Sequence, residues 1–247
     1  KHHGKNKSKV IIMDANDSRS KKGLFNQAWA KLYGWEKEGL GTKGMIEWVK
    51  GAEGGLVTKL DAKTKTVSSD FVDVKADVLN IIPAHKAGRI AFEAGLVGTE
   101  GNNFEKGWCK VEPMTMASAL DPNVYTIGDA CVAGEMPLYG SPGAAFDMPK
   151  SAHIAITQAK VAAAAIVARL NGLQPPEPYY VNTCYSMVGD DYGISVAGVY
   201  RSEAGKLIEV PGSGGVSPAN ADAVFRKAEA VYGAAWYKAI STDIWDR

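Results

Sequence analysis

A short apolar run, Lys9-Val-Ile-Ile-Met-Asp14, is followed by a helical periodicity and then by a second strand-like run, Met45 to Lys50. That order constrains the fold more than any other feature. An apolar run without alternation is what a strand covered on both faces requires, so Lys9 to Asp14 reads as a buried parallel strand. The helix is expected over Lys22 to Tyr33, where Leu24, Phe25, Ala28, Trp29 and Leu32 form one stripe. Leu56 to Leu60 and Thr66 to Val74 read as paired strands around the polar turn 61–64, and Asp77 to Pro83 as another buried strand, closed by its proline. Lys86 to Ala94 reads as a helix stopped by Gly95.

A second stretch opens at Trp108-Cys-Lys-Val111 and reaches Val124-Tyr-Thr-Ile-Gly-Asp129, read as a strand ending in Gly-Asp. A strong helix is expected from Ala152 to Leu170, stopped at Asn171-Gly172. The stiff run Gln174-Pro-Pro-Glu-Pro178 makes the best boundary in the chain. Beyond it come strands at Val181 to Val188 and Ile194 to Tyr200, a Gly212–Gly215 loop, and a helix from about Ala221 to Ile240. The mixture is α/β with an added antiparallel portion.

Charge excludes some partners. With 28 basic and 27 acidic residues, no excess attracts nucleic acid or anionic lipid. No uninterrupted apolar run reaches the roughly 18 residues of a span. Behind Lys1-His2-His3-Gly4-Lys5 lies no hydrophobic core of a signal peptide. Cys109, Cys131 and Cys184 are too few and too scattered for a disulfide scaffold or a zinc cluster, and no metal site is expected.

Several residues could carry chemistry. Gly39-Leu-Gly41-Thr-Lys-Gly44 matches a dinucleotide fingerprint by letter, but it follows a helix and precedes a strand, the reverse of what a phosphate-binding loop needs, and reads as a plain loop. Asp14 is either a surface acid closing a strand or the ribose-binding acid of a Rossmann unit, which sits roughly 20 residues past its glycine loop. Counted back from Asp14, that loop falls before Lys1, so the chain is expected to start within a domain. Gly128 and Asp129 end a strand where open α/β sheets bind ligands. Pro149, Lys150 and Ser151 open the Ala152–Leu170 helix, as a routine cap or as a site for negative charge. Cys184 is either a small buried hydrophobe or a reactive thiol. On the last helix, Val224, Phe225, Ala228, Val231, Tyr232, Ala235 and Trp236 make a stripe for core or interface packing.

Taken in order, several blocks resemble one family, the flavoprotein subunit of flavocytochrome c sulfide dehydrogenase, within the FAD-dependent disulfide-reductase-like superfamily. They are Asp77-Val-Leu-Asn-Ile-Ile-Pro83, Lys86-Ala-Gly-Arg-Ile-Ala91, Gly107-Trp-Cys-Lys-Val111 and Ile127-Gly-Asp-Ala-Cys131. Met148-Pro-Lys-Ser151, Gln158-Ala-Lys-Val-Ala162, Asn182-Thr-Cys-Tyr-Ser186 and Tyr192-Gly-Ile-Ser-Val196 complete the set. The resemblance implies a periplasmic enzyme that takes two electrons from sulfide into FAD and passes them to a c-type cytochrome subunit bearing haem c. It implies incomplete Rossmann-like domains, NADH-binding-like over 1–95 and FAD-binding over 96–173, plus a C-terminal α+β interface domain over 179–247. The N-terminal FAD-binding portion, which holds most of the FAD, is expected to lie outside this chain.

By the same resemblance Cys184 is one half of a redox-active disulfide whose partner lies upstream. Gly128 and Asp129 approach the flavin's ribityl chain, and Pro149, Lys150 and Ser151 bring a helix end to its ring. The segment Leu138-Tyr-Gly-Ser-Pro-Gly143 is an insert relative to the family. Alternatives from other classes are a sulfide:quinone oxidoreductase-like flavoenzyme and a non-catalytic cytochrome-docking fragment.

Overall fold

The computed structural model describes residues 7–98, 107–133, 136–137, 145–146, 148–203 and 206–246. The histidines at 2–3 and the 138–143 insert lie outside the described residues. Strand β1 (Val10–Met13) leads to helix α1 (Lys22–Tyr33), β2 (Ile46–Val49), β3 (Lys59–Asp61), β4 (Thr66–Ser68), β5 (Asp73–Lys75) and α2 (Arg89–Glu93). Then follow β6 (Cys109–Lys110), β7 (Cys131–Val132), β8 (Met136–Pro137), β9 (Ala145–Phe146) and α3 (Ala152–Leu170). The chain closes with β10 (Tyr179–Gly189), β11 (Tyr192–Glu203), β12 (Lys206–Glu209), β13 (Gly215–Val216) and α4 (Ala223–Trp245). The class is mixed α/β. The chain forms two compact units, one of residues 1–83, 186–194 and 217–247, the other of 84–185 and 195–216.

In the first unit β1 and β2 pair in parallel, Val10 opposite Ile46, with α1 as the crossover. Gly34 stops α1 in the left-handed region, φ 64°, where a side chain is strained. Trp48 is fully buried and forms a core with Trp29 and Ile46. The Arg19 guanidinium lies 4.1 Å from the Trp48 ring centre and 4.6 Å from that of Trp29, so its charge is met by two aromatic faces. The hairpin between β10 and β11 turns at Asp190-Asp191 and brings Tyr192 and Ile194 against Leu24 and Ala28 of α1. Asp222 caps α4 by accepting the Phe225 N–H at 2.8 Å.

The expected stripe of α4 does not face the core. Val224, Val231 and Tyr232 are exposed, and the buried face is Arg226, Glu229, Ala230 and Gly233. The reason is the buried pair Arg226–Glu229, at 3.2 Å, which finds further partners inside the unit. Arg226 donates to the Pro218 carbonyl at 2.6 Å, and Glu229 accepts from the Ser217 hydroxyl. A buried charge pair must stay together, so it fixes which face turns inward.

Three strand expectations fail in whole or in part. Thr66 to Val74 splits into β4 and β5 because the Ser69 hydroxyl accepts the N–H groups of Phe71 and Val72, a local turn that competes with the ladder. β3, β4 and β5 form an antiparallel sheet. Asp77 to Pro83 is not a buried strand: it has no strand structure, and Val78 and Ile82 are 83% and 71% exposed. An apolar run specifies that burial is favourable but supplies no partner, and no described strand pairs with this one.

In the second unit β6 and β7 pair in parallel, with Cys109 beside Cys131. The core gathers Cys109, Val111, Met116, Ile154, Tyr180 and Tyr200. Val124 to Asp129 is not a strand. It makes one bridge, Tyr125 to Ala117, and then a 3-10 turn over Gly128–Ala130. Gly128, at φ 67°, leaves the extended region, and its N–H is taken by the Gln158 side chain at 2.6 Å. Among the described residues α3 alone is long and apolar enough to match a membrane span, and its buried side, with Ile154, Gln158 and Ala162, packs into this unit.

Backbone contact gives a direct test. A Cβ on Gly193 would fall 2.5 Å from the Ala230 nitrogen and 2.7 Å from the Glu229 carbonyl carbon, whereas one on Gly215 meets nothing within 4 Å. Gly193→Ala should lose about 1–3 kcal/mol in denaturant unfolding, and Gly215→Ala about 0.5 or less.

Candidate functional site

Ser151 stands where the chain turns from extended to helical, φ −146°, and its hydroxyl accepts the Ile154 N–H at 3.2 Å. A serine here satisfies one of the amides that a helix start leaves unbonded. The same hydroxyl donates its proton to the Asn182 Oδ1 at 2.6 Å. Asn182 lies on β10 and is 1% exposed. Residues two apart on a strand share a face, so Asn182 and Cys184 point the same way. The Asn182 Nδ2 donates to the Cys184 sulfur at 3.3 Å, and the thiol can in turn donate to Oδ1 at 3.5 Å.

Thr183, between them, turns its side chain to the opposite face, and its backbone N–H donates to His153 Nδ1 at 3.0 Å. The first turn of α3 is therefore fastened to β10 twice, through Ser151 and through His153. Cys184 is half-buried and unpaired with another cysteine. Burial, with the charges of Glu209 and Cys184, pushes the Tyr200 phenol above its usual range, so this core residue is a neutral hydroxyl at ordinary pH.

Gly128 and Asp129 form the second cluster. Gln158, one turn further along α3, holds the Gly128 N–H, and Cys131 donates its thiol to the Gly128 carbonyl at 3.3 Å. A Cβ on Gly128 would come 3.3 Å from that of Ala155, so glycine permits the close approach of turn and helix. The Asp129 carboxylate is exposed and makes no hydrogen bond or ion pair among the described residues. Lys150 braces the turn from outside. Its ammonium donates to the carbonyls of Cys131, at 2.6 Å, and Asp129, at 3.3 Å, and lies 4.1 Å from the centre of the Trp108 ring. Pro149, half-buried beside Met148, leads the chain into the cap.

Thus α3 is the common scaffold. It binds the Gly128–Asp129 turn through Gln158 and the Cys184 strand through Ser151 and His153. Of the residues expected from sequence, Ser151 meets Cys184 through Asn182, and Lys150 meets Asp129 through the backbone. Asn182, His153, Gln158 and Tyr200 were given no role by the sequence. A period-two reading of β10 would have paired Asn182 with Cys184, while the contacts of His153 and Gln158 span 30 residues each and left no local signal.

Cys109 and Cys131 differ from Cys184. Both are buried, and burial pushes the Cys109 thiol up against the opposing effects of a Thr126 hydrogen bond and the Lys150 charge. Elsewhere, Asp14 is already engaged. Burial acts to raise its carboxyl, but hydrogen bonds from Asn16 and Trp48 and the charge of Arg19 hold it below the usual range. Gly39 to Gly44 lies between α1 and β2 without helix or strand.

Two family models match the chain. Residues 1–83 match the central portion of the sulfide dehydrogenase [flavocytochrome c] flavoprotein chain. Residues 176–245, which include Asn182 and Cys184, match the flavocytochrome c sulphide dehydrogenase flavin-binding portion.

Burial orders the three thiols. Iodoacetamide added to the reduced, folded protein should alkylate Cys184 at least about tenfold faster than Cys109 or Cys131, whose reaction waits for opening of the core. Peptide mass spectrometry reads the ratio, and equal rates would contradict the burial described.

Proposed function

We propose, from the premise that the chain belongs to the flavoprotein family of flavocytochrome c sulfide dehydrogenases, that it takes part in flavin-dependent oxidation of sulfide with electrons leaving to a c-type cytochrome. The observation that carries the reading is the hydrogen-bonded line Ser151–Asn182–Cys184, which joins a helix start to a half-buried cysteine inside the segment matched to the flavin-binding portion.

The residues present suit a flavin, which we take to be FAD. The Asp129 carboxylate, exposed and without a partner among the described residues, is an acceptor for the hydroxyls of the flavin's ribityl chain. The start of α3, where Pro149, Lys150 and Ser151 lie, offers dipole and amides to negative charge. Bound there, the flavin supplies a two-electron acceptor. The chain's own residues provide a sulfur and its surroundings. Cys184 forms a disulfide with a second cysteine of the flavoprotein. Hydrosulfide attacks one sulfur of that disulfide: a new S–S bond forms, the old one breaks, and its electron pair leaves on the expelled thiolate. The Asn182 amide lies beside the Cys184 sulfur, at 3.3 Å.

The remaining architecture supports the same reading. We take residues 1–95 as an NADH-binding-like Rossmann domain, 96–173 as part of the FAD-binding domain and 179–247 as the interface domain. The parallel β1–α1–β2 unit fits the first of these. The exposed apolar side chains of Val78 and Ile82 give a surface that an N-terminal FAD-binding portion of the same flavoprotein can cover. Val231, Tyr232, Tyr237 and Trp245 on α4 stay exposed and give a surface of the kind a protein partner such as the cytochrome covers. An oxidising compartment, the periplasm, suits a standing disulfide.

In the flavin-loaded protein, Cys184→Ser should abolish reduction of the flavin spectrum by sulfide while dithionite still bleaches it fully. Cys109→Ser and Cys131→Ser should keep sulfide-dependent reduction and lose about 1 kcal/mol of stability. Bleaching of Cys184→Ser by sulfide at the normal rate would remove Cys184 from the chemistry.

A further inference from the structure

We propose that Asn182 is a positioning residue for the Cys184 sulfur, and that Ser151 sets which way its amide faces. The proposal rests on the reading of Cys184 as the redox thiol and adds the group that controls it. Asn182 is 1% exposed, and a buried amide is retained only where its donors and acceptors are used. Its two ends are used differently. The Ser151 oxygen accepts the Ile154 N–H, so its single proton is free for one acceptor, and it goes to the Asn182 Oδ1 at 2.6 Å. That bond turns Nδ2 towards Cys184, at 3.3 Å.

The amide then serves both forms of the sulfur. A thiol can donate to Oδ1 at 3.5 Å, and a thiolate can accept from Nδ2 at 3.3 Å. The second bond strengthens as negative charge builds on sulfur, because hydrogen bonds to ionised acceptors are stronger than neutral ones. When the disulfide of Cys184 opens, the S–S electron pair departs on one sulfur. If that sulfur belongs to Cys184, Nδ2 is in place to receive it without reorganisation. Because Ser151 is the N-cap of α3, the orientation of the thiol is tied to the helix start proposed to face the flavin.

The experiment uses the full-length flavin-loaded protein, reduced with dithiothreitol and desalted. Asn182→Asp keeps the shape and the acceptor for Ser151 but removes the donor. Ser151→Ala leaves Asn182 in place and removes its lock. At pH 7, iodoacetamide alkylation of Cys184 should slow by about fivefold in Asn182→Asp and about twofold in Ser151→Ala, with Cys109 and Cys131 still protected in both. The rate of flavin reduction by sulfide should fall in the same order, with dithionite reduction unchanged. A folded Asn182→Asp protein with unaltered alkylation and unaltered sulfide reduction overturns the proposal. Should Asn182→Asp fail to fold, Ser151→Ala decides it by the same two rates. If wild-type Cys184 proves dispensable for sulfide reduction, the fault lies in the redox reading itself, and the alkylation rates still judge the role of Asn182.

Discussion

The Ser151 hydroxyl is the bond on which the site depends. It satisfies the start of α3 and holds the amide that touches the Cys184 sulfur. A cap of this kind contributes about 1 kcal/mol to a helix. Here its second bond converts the helix start into a reference point for a strand 31 residues away. His153 adds a second fastening to the same strand. Gln158, two turns into the helix, fixes the Gly128–Asp129 turn. The helix therefore positions both clusters, and its own placement follows from Ile154 and Ala162 in the core.

Much of this scaffold is legible in the residues. The apolar stripe of Lys22 to Tyr33 gives α1 by periodicity alone, and the run Ala152 to Leu170 gives α3, where the Ser151 cap and the Asn171-Gly172 stop agree with the apolar run. The two strands β1 and β2 follow from two apolar runs, and their parallel pairing with each other is what the structure adds. Short apolar segments are less informative. Val124 to Asp129 has strand composition, yet Gly128 at φ 67° and the Gln158 side chain turn it into a 3-10 loop. Asp77 to Pro83 has the composition of a buried strand and lies exposed. On α4, hydrophobic spacing points to one face, but the buried Arg226–Glu229 pair turns another inward. A polar partner 30 residues away decides the first case, the lack of a pairing strand among the described residues the second, and a buried ion pair that hydrophobic spacing does not register the third.

The candidate site divides in the same way. Gly128, Asp129, Ser151 and Cys184 are visible as motif positions. Lys150 and Pro149 are visible too, but the ammonium of Lys150 is spent on two backbone carbonyls and the face of Trp108, which makes it a brace for the turn. Asn182 stands inside a quoted block and gains its meaning only when the strand face is known. The contrast among the cysteines is likewise spatial: Cys109 and Cys131 sit side by side in a closed core, and Cys184 reaches a half-open face.

The account holds that Cys184, and neither of the buried thiols, forms the redox disulfide of the flavoprotein. Non-reducing peptide mapping of the oxidised, flavin-loaded protein, with free thiols blocked during unfolding, tests this most directly. The predicted result is a Cys184 peptide disulfide-linked to a cysteine other than Cys109 and Cys131, both of which carry the blocking group. A blocked Cys184 in the oxidised protein, or a link from Cys184 to Cys109 or Cys131, would contradict the account.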